Sequence, residues 1–150
     1  MRGFTIFEII IVIGIFIALA AAGATPLLFL KNKNALVNAA ERSVSLLSAA
    51  RTQTLSSENA ARYGVHFAPD RAVLFKGTSF NANDPENEQF FFGSAVENAM
   101  VSLNGGGTDV VFKRLTGETD GYGTITFRLK KDPTVTRIIT VERTGVVSTE

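Results

Sequence analysis

The stretch GFTIFEIIIVIGIFIALAAAG, residues 3–23, decides the fold of the N-terminal part of this chain. Residues 9–30 form a run of 22 residues without a charged side chain. As a helix, such a run is long enough to cover the ~30 Å hydrocarbon core of a bilayer. Glu8 stands at the start of the run, where an unpaired carboxylate in hydrocarbon would cost several kcal/mol. The sequence therefore predicts a membrane-spanning helix whose single carboxylate needs a cationic partner.

The spacing of Gly3, Phe4 and Glu8 before this run resembles the N-terminus of the type IV pilin and pseudopilin superfamily. The resemblance implies that prepilin peptidase cuts between Gly3 and Phe4 and methylates the new N-terminus, so that residues 1–3 are a short prepilin leader. It also implies that Glu8 pairs with the Phe4 amine of an arriving subunit in a filament. The other implied partners are further pilin or pseudopilin subunits, the inner-membrane assembly platform and membrane lipid.

A basic residue before an apolar stretch also describes a secretory signal peptide or a plain signal anchor. Three features weigh against the signal peptide: only residues 1–3 precede the motif, the apolar run exceeds the usual length, and Glu8 interrupts its start. Residues 20–24 are nevertheless small enough to resemble a signal-peptidase site. A signal-anchored β-domain protein therefore stays an alternative to the pilin-type interpretation.

Small residues recur every fourth position inside the run, at Gly14, Ala18 and Ala22, and so share one helix face. Such a face lets neighbouring helices approach closely in a filament core, although glycine and alanine are also simply tolerated by lipid. Pro26 has no amide donor, so the sequence predicts a helix kink there. The resemblance to pilins implies a proline near the same point.

The residues after the apolar run predict one domain built from a helix and sheets. Residues 31–58 place apolar side chains at helical spacing and predict an amphipathic continuation of the helix of residues 4–30. Residues 59–150 show a period of two, with turn residues between the strands. The predicted strands are 63–67, 73–75, 90–92, 96–103, 110–113, 124–129, 135–141 and 146–148. The predicted fold class is α+β: a long N-terminal helix, membrane-spanning and then amphipathic, packed on antiparallel β-sheets.

The strand-rich part carries a second resemblance. Its segments YGVHF, VVFKRLTGE, TITFRL and RIITVERTGVV are similar to the globular domain of GspH/FimT-type minor pseudopilins and minor pilins. This implies a minor subunit of a type II secretion pseudopilus or a type IV pilus. It also implies a single-pass protein of the cytoplasmic membrane with an extracytoplasmic, periplasmic C-terminal domain. After assembly, the protein would be part of the pilus or pseudopilus.

Composition argues against an enzyme. The chain has no cysteine and one histidine, so it lacks thiolate chemistry, disulfides and a second imidazole for a base or metal pair. The alternation of residues 63–67 predicts that His66 faces solvent. Asp84, Glu86 and Glu88 could bind calcium, but a solvated acidic loop is the favoured interpretation. The sequence predicts no catalytic residue, no cofactor and no resident metal.

Extracellular DNA capture is the second functional class, because some FimT-like minor pilins bind DNA through a basic C-terminal stretch. The candidate phosphate contacts are Arg128, Lys130, Lys131, Arg137 and Arg143. Acidic residues dilute that charge, and the chain after Gly145 reads VVSTE, without closely spaced arginines. With a net charge of +1, the sequence disfavours DNA as a partner.

Overall fold

A computed structural model describes residues 4–56 and 60–150 of the chain, and all their side chains except those of residues 21–28. One helix, α1, spans Ile6–Leu55. Eight strands follow: β1 Tyr63–Phe67, β2 Arg71–Lys76, β3 Glu88–Phe91, β4 Val96–Leu103, β5 Asp109–Val111, β6 Gly123–Leu129, β7 Thr136–Val141 and β8 Val147–Thr149. The chain divides into two compact units, Met1–Asn32 and Lys33–Glu150.

The first unit contains the N-terminal turns of α1, which begin with a side-chain cap. Thr5 Oγ1 accepts a hydrogen bond from the Glu8 backbone N–H at 3.3 Å, and the Thr5 carbonyl accepts one from the Ile9 N–H at 3.2 Å. This satisfies amide donors that every helix leaves open at its start. Among the residues that the structure describes, no helix meets the length and apolarity needed to cross a membrane.

The second unit holds two four-stranded antiparallel sheets. Sheet 1 has the order β3-β2-β1-β5, and sheet 2 has the order β4-β6-β7-β8. In sheet 1, Val65 lies opposite Leu74 and Val110, so that their side chains share one face. In sheet 2, Ile125 lies opposite Val101 and Ile139. Since side chains alternate between faces along a strand, these registers line up one apolar face on each sheet.

The core of this unit lies between the apolar stripe of α1 and those sheet faces. Leu36, Leu47 and Ala50 on the helix are at most 1% exposed, as are Val65 and Phe127 on the sheets. Burying each large side chain contributes about 1.5–3 kcal/mol. The predicted α+β fold, a helix packed on antiparallel sheets, is confirmed.

A buried threonine joins the end of α1 to the first strand. Thr54 Oγ1 donates to the Ala50 carbonyl at 2.8 Å and accepts from the Tyr63 backbone N–H at 2.9 Å. The hydroxyl thus satisfies one donor and one acceptor inside the core, where an unpaired polar group would be costly. This link fixes where β1 starts relative to the helix.

The prediction that His66 faces solvent is wrong. His66 does lie on the face of β1 opposite the core, but the Phe80 ring stacks on it, with centroids 4.0 Å apart and planes 7° from parallel. Asp109 Oδ1 lies 2.6 Å from His66 Nδ1, and the imidazole is half-buried. Strand alternation correctly predicts the face but carries no information about the loop of residues 77–87, which folds back and covers it.

Candidate functional site

The N-terminal end of α1 presents a carboxylate surrounded by apolar side chains. Phe4, Glu8, Ile9, Val12 and Ile13 line an open crevice of about 260 Å³. The Phe4 side chain is 80% exposed, and Glu8 is exposed as well. A partner that covered this surface would remove the carboxylate from water, so it would have to bring a positive charge or a hydrogen-bond donor to Glu8.

The rest of the described N-terminal helix is apolar all round and uncovered. Its large side chains that remain exposed include Phe7, Ile10, Phe16, Ile17 and Leu19. A helix with this pattern is ordinarily buried in a protein core or in lipid. Gly14 has no heavy atom within 4 Å of the position that a Cβ would occupy. The helix face that carries Gly14 therefore has space for the close approach of another helix. This apolar helix surface can pack against lipid or against similar helices.

Some predicted site residues lie outside what the structure describes. Gly3, the residue before the predicted cleavage point, belongs to the undescribed residues 1–3. Ala22 and Pro26 lie within α1, but in the stretch whose side chains are not described. The predicted kink and the packing role of Ala22 therefore stay predictions. Phe4 and Glu8 are described, and both line the crevice.

Arg51 holds two turns together on the second unit, a role the sequence pattern did not reveal. Its Nε donates to the Gly117 carbonyl at 3.2 Å, and its Nη2 donates to the Thr144 carbonyl at 3.4 Å. Gly117 and Gly145 have positive φ values of 67° and 78°. A Cβ on Gly145 would collide with the Gly117 carbonyl oxygen and approach Arg51 Nε to 2.8 Å. Only glycine fits there, because backbone and guanidinium lie so close.

Two surface ion pairs each change the pKa of one residue. Lys113 Nζ donates to Asp120 Oδ1 at 2.6 Å, and this hydrogen bond holds the pKa of the Asp120 carboxyl below its ordinary value. Lys76 Nζ donates to Glu86 Oε2 at 3.1 Å, which raises the pKa of the lysine. Both pairs lie at the surface, so they orient loops rather than build a reactive centre.

The acidic loop does not gather its carboxylates into a metal site. Asp84 Oδ1 accepts the Glu86 backbone N–H at 2.9 Å, and Glu86 pairs with Lys76. Glu88 lies 3.8 Å from an Arg42 nitrogen. Within residues 4–56 and 60–150, no group of three or more histidine, cysteine, aspartate or glutamate side chains could hold a metal ion.

The basic candidates for DNA contact do not converge on one surface. Arg128 Nε donates to Glu97 Oε1 at 2.7 Å, so its charge is partly neutralised. Arg137 lies opposite the buried Phe127 and therefore on the other face of sheet 2 from Arg128. Lys130 and Lys131 follow β6, whereas Arg143 lies in the turn between β7 and β8. A duplex needs neighbouring phosphate contacts, which this distribution does not offer.

The sequence matches no protein-family model and no curated protein. Among solved structures, the type IV minor pilin FimU from Pseudomonas aeruginosa strain PAO1 shares 15% identity and a TM-score of 0.55, over 77% of this chain and 92% of that one. The minor pseudopilin EpsH from the type II secretion system of Vibrio cholerae shares 15% identity and a TM-score of 0.58, over 78% and 94%. At such identity the likeness concerns the fold, and this chain has the fold of minor pilins and minor pseudopilins.

Proposed function

We propose that this chain is a minor pilin or minor pseudopilin subunit that assembles through α1 into a type IV pilus or a type II secretion pseudopilus. The observation that carries the proposal is the spacing of Gly3, Phe4 and Glu8 before an uncharged run of 22 residues. The fold that the chain shares with a minor pilin and a minor pseudopilin supports it. Its work is mechanical, since the subunit fills a place in a polymer.

Before assembly, residues 9–30 would lie in the cytoplasmic membrane and residues 59–150 on its outer side. The support for the membrane segment is the length of the uncharged run, which is sufficient for a bilayer core of ~30 Å. Prepilin peptidase would cut after Gly3 and methylate the amine of Phe4. The assembly platform would then extract the helix from lipid into the filament, where neighbouring helices replace lipid around the same side chains.

Charge pairing would set the register of assembly. Phe4 and Glu8 line the same crevice, and the other side chains of that crevice are apolar. When a second helix covers this surface, the carboxylate leaves water, and an unpaired buried charge costs several kcal/mol. The N-terminal amine of an arriving subunit supplies the missing cation. A subunit in the wrong register would leave the charge unpaired, so the pair selects one arrangement.

The test is the incorporation of a Glu8→Ala variant into filaments. We expect the variant to reach the membrane and to be cleaved normally, but to be at least tenfold depleted from sheared or pelleted filaments, which corresponds to about 1.4 kcal/mol. Immunoblots of the membrane and filament fractions measure both quantities. Glu41→Ala is the matched control, because Glu41 is an exposed glutamate on the same helix beyond the apolar run. Incorporation of Glu8→Ala at the control level would refute the pairing role.

A further inference from the structure

The loop of residues 104–108, which connects β4 to β5, begins with the only asparagine in the chain that precedes a glycine. Asn104 is exposed, and so are the four residues that follow it. Residues 105–107 are all glycines, and no heavy atom lies within 4 Å of the position that a Cβ would occupy on any of them. Water therefore reaches both the side-chain amide of Asn104 and the backbone that follows it.

An asparagine side chain can be attacked by the backbone nitrogen of the next residue. In such a step the Gly105 nitrogen gives up its proton to water and bonds to Asn104 Cγ. The bond from Cγ to Nδ2 breaks, and Nδ2 takes up a proton and leaves as ammonia. Water then opens the cyclic imide, at Cγ to give aspartate or at the main-chain carbonyl to give isoaspartate, with no change of oxidation state. Glycine favours the attack because it has no Cβ to obstruct the approach.

The Gly105 nitrogen is not held by the turn in which it lies. The Gly106 N–H donates to the Leu103 carbonyl at 3.0 Å, which closes a turn with Asn104 and Gly105 at its central positions. The Gly105 N–H makes no backbone hydrogen bond to the residues that the structure describes. Rotation of the peptide plane between Asn104 and Gly105 brings the nitrogen toward Cγ and changes the φ of Gly105 from 79°, and glycine accepts φ values of either sign. The attack therefore needs no unfolding of the sheets.

The only aspartate that precedes a glycine, Asp120, has the opposite surroundings. A protonated aspartate can form the same cyclic imide by loss of water. The Gly121 N–H, however, donates to Thr119 Oγ1 at 3.1 Å, and a Cβ on Gly121 would lie 2.8 Å from the Asp109 carbonyl oxygen. The hydrogen bond from Lys113 lowers the pKa of Asp120 and keeps the carboxylate ionised, which makes it a poor target for a nucleophile. The fold therefore protects this second site.

The side chain of Asn104 attaches the loop of residues 104–108 to the connection between β5 and β6. Asn104 Nδ2 donates to the Asp120 carbonyl at 3.1 Å, and the Asn104 backbone N–H donates to the Tyr122 carbonyl at 2.8 Å. An ionised carboxylate has no donor and would set an oxygen against the Asp120 carbonyl oxygen. Isoaspartate would in addition lengthen the backbone by a methylene group. Either product weakens the attachment.

We propose that Asn104 is a site of spontaneous deamidation in the folded chain, and that the aspartate or isoaspartate formed there releases the loop of residues 104–108 from the β5–β6 connection. Water is the only co-reactant, and each conversion lowers the formal net charge by one unit from +1. The inference does not depend on α1, so it can fail or succeed independently of the proposed filament role.

Timed incubation of the full chain in detergent micelles, in mildly alkaline buffer, tests the reaction. Peptide mass spectrometry measures the replacement of the amide by a carboxyl, and enzymatic methylation of isoaspartate distinguishes the two products. We expect Asn104 to react at least about tenfold faster than Asn34, which corresponds to about 1.4 kcal/mol of activation free energy. Asn34 is the internal control, because it is also exposed but precedes alanine within α1. Equal rates at the two asparagines would overturn the proposal.

The same incubation in urea separates the effect of the fold from that of the local sequence. We expect Asn104 to react about as fast in the folded chain as in the unfolded chain. Asp120 should form isoaspartate readily only in the unfolded chain, because unfolding removes the contacts of its carboxylate and of the Gly121 N–H. If folding slows Asn104 as strongly as it slows Asp120, the site is not reactive in the native protein and the proposal fails.

Two variants test the consequence and the chemistry. Asn104→Asp imitates one product, and we expect faster hydrogen exchange at the amide of residue 104, whose acceptor is the Tyr122 carbonyl. Asn34→Asp is the matched control and should leave that exchange unchanged. Asn104→Gln keeps a side-chain amide on a longer side chain, and ammonia release at this position should be lost because the ring that would form is larger. Unchanged exchange in Asn104→Asp would contradict the release of the loop.

Discussion

Arg51 connects two turns that are far apart in sequence. The guanidinium of this half-buried residue bonds the carbonyls of Gly117 and Thr144, which lie 66 and 93 residues away. Hydrogen bonds from a charged donor are stronger than neutral ones, and two carbonyls in different turns are fixed by one side chain. The surface formed by the β5–β6 and β7–β8 connections therefore depends on a residue of the helix.

We expect Arg51→Ala to lower the free energy of unfolding by about 1–3 kcal/mol, because it leaves two carbonyls without their donor. Urea unfolding of the full chain in micelles, followed by circular dichroism, measures the loss. Arg42→Ala is the control, since Arg42 lies on the same helix and only approaches Glu88, at 3.8 Å. An exposed pair of this kind contributes about 0–1 kcal/mol. Equal effects of the two substitutions would contradict the role of Arg51.

The Lys113–Asp120 pair predicts that the stability of the fold depends on pH. Because the hydrogen bond lowers the folded-state pKa of Asp120 below 3.8, the pair stabilises the fold above that ordinary value. This contribution is lost as the pH falls through the lowered folded-state pKa. A carbon-13 NMR titration of the Asp120 carboxyl should show the lowered pKa, and Lys113→Met should return it toward 3.8. An Asp120 pKa that is the same in both proteins would be evidence against the pair.

The sequence predicts residues that act through local spacing and misses those that act through distant contacts. Glu8 stands out because a charge beside an apolar run is anomalous in any fold. Arg51 does not, since an arginine on the polar side of an amphipathic helix is ordinary. The Thr5 cap could have been found, because threonine three residues before Glu8 matches a capping-box pattern. The contact between His66 and Phe80 depends on loop folding, which periodicity does not encode.

The strands were largely predictable because their chemistry is local. Alternation of apolar and polar residues predicts β1, β6 and β7 within one or two residues of the bounds observed. Register and sheet membership were not predictable. The division into sheet 1 and sheet 2 follows from connections that cross between the sheets, such as the loop of residues 104–108 that takes the chain from β4 in one sheet to β5 in the other. Pairings of this kind depend on global packing.

At the element scale, Gly64 is required by the close packing of sheet 1. A Cβ there would lie 2.7 Å from the Val110 carbonyl oxygen and 2.9 Å from an atom of the Phe75 ring. We expect Gly64→Ala to destabilise the fold by about 1–3 kcal/mol and to separate β1 from β5 locally. Hydrogen exchange should accelerate at Val110 and Val111 more than in β6 and β7.

Gly105→Ala is the control for this effect. Gly105 also has a positive φ, so alanine strains the loop, but no atom lies within 4 Å of the added Cβ. Its exchange pattern should change in the loop and not at Val111. If Gly64→Ala leaves the exchange of Val110 and Val111 unaltered, the proposed steric conflict is absent.

At the scale of the whole molecule, two units of different chemistry serve one proposed role. Residues 4–20 expose apolar side chains that suit lipid or neighbouring helices, whereas Lys33–Glu150 has its own buried core. The first unit would provide the polymer contacts, and the second would present surface to neighbouring subunits. The N-terminal spacing resembles the pilin and pseudopilin superfamily as a whole, so the filament of the proposed subunit would be selected by its partners.

The central claim is that the chain is processed and assembled as a pilin-type subunit. Intact-mass and N-terminal peptide mass spectrometry of protein extracted from its native membrane tests it most directly. The account predicts a mature chain that begins at N-methylated Phe4. A chain that still begins at Met1 would contradict the claim and indicate a plain membrane anchor, and a chain that begins near Ala24 would contradict it by indicating a secreted β-domain.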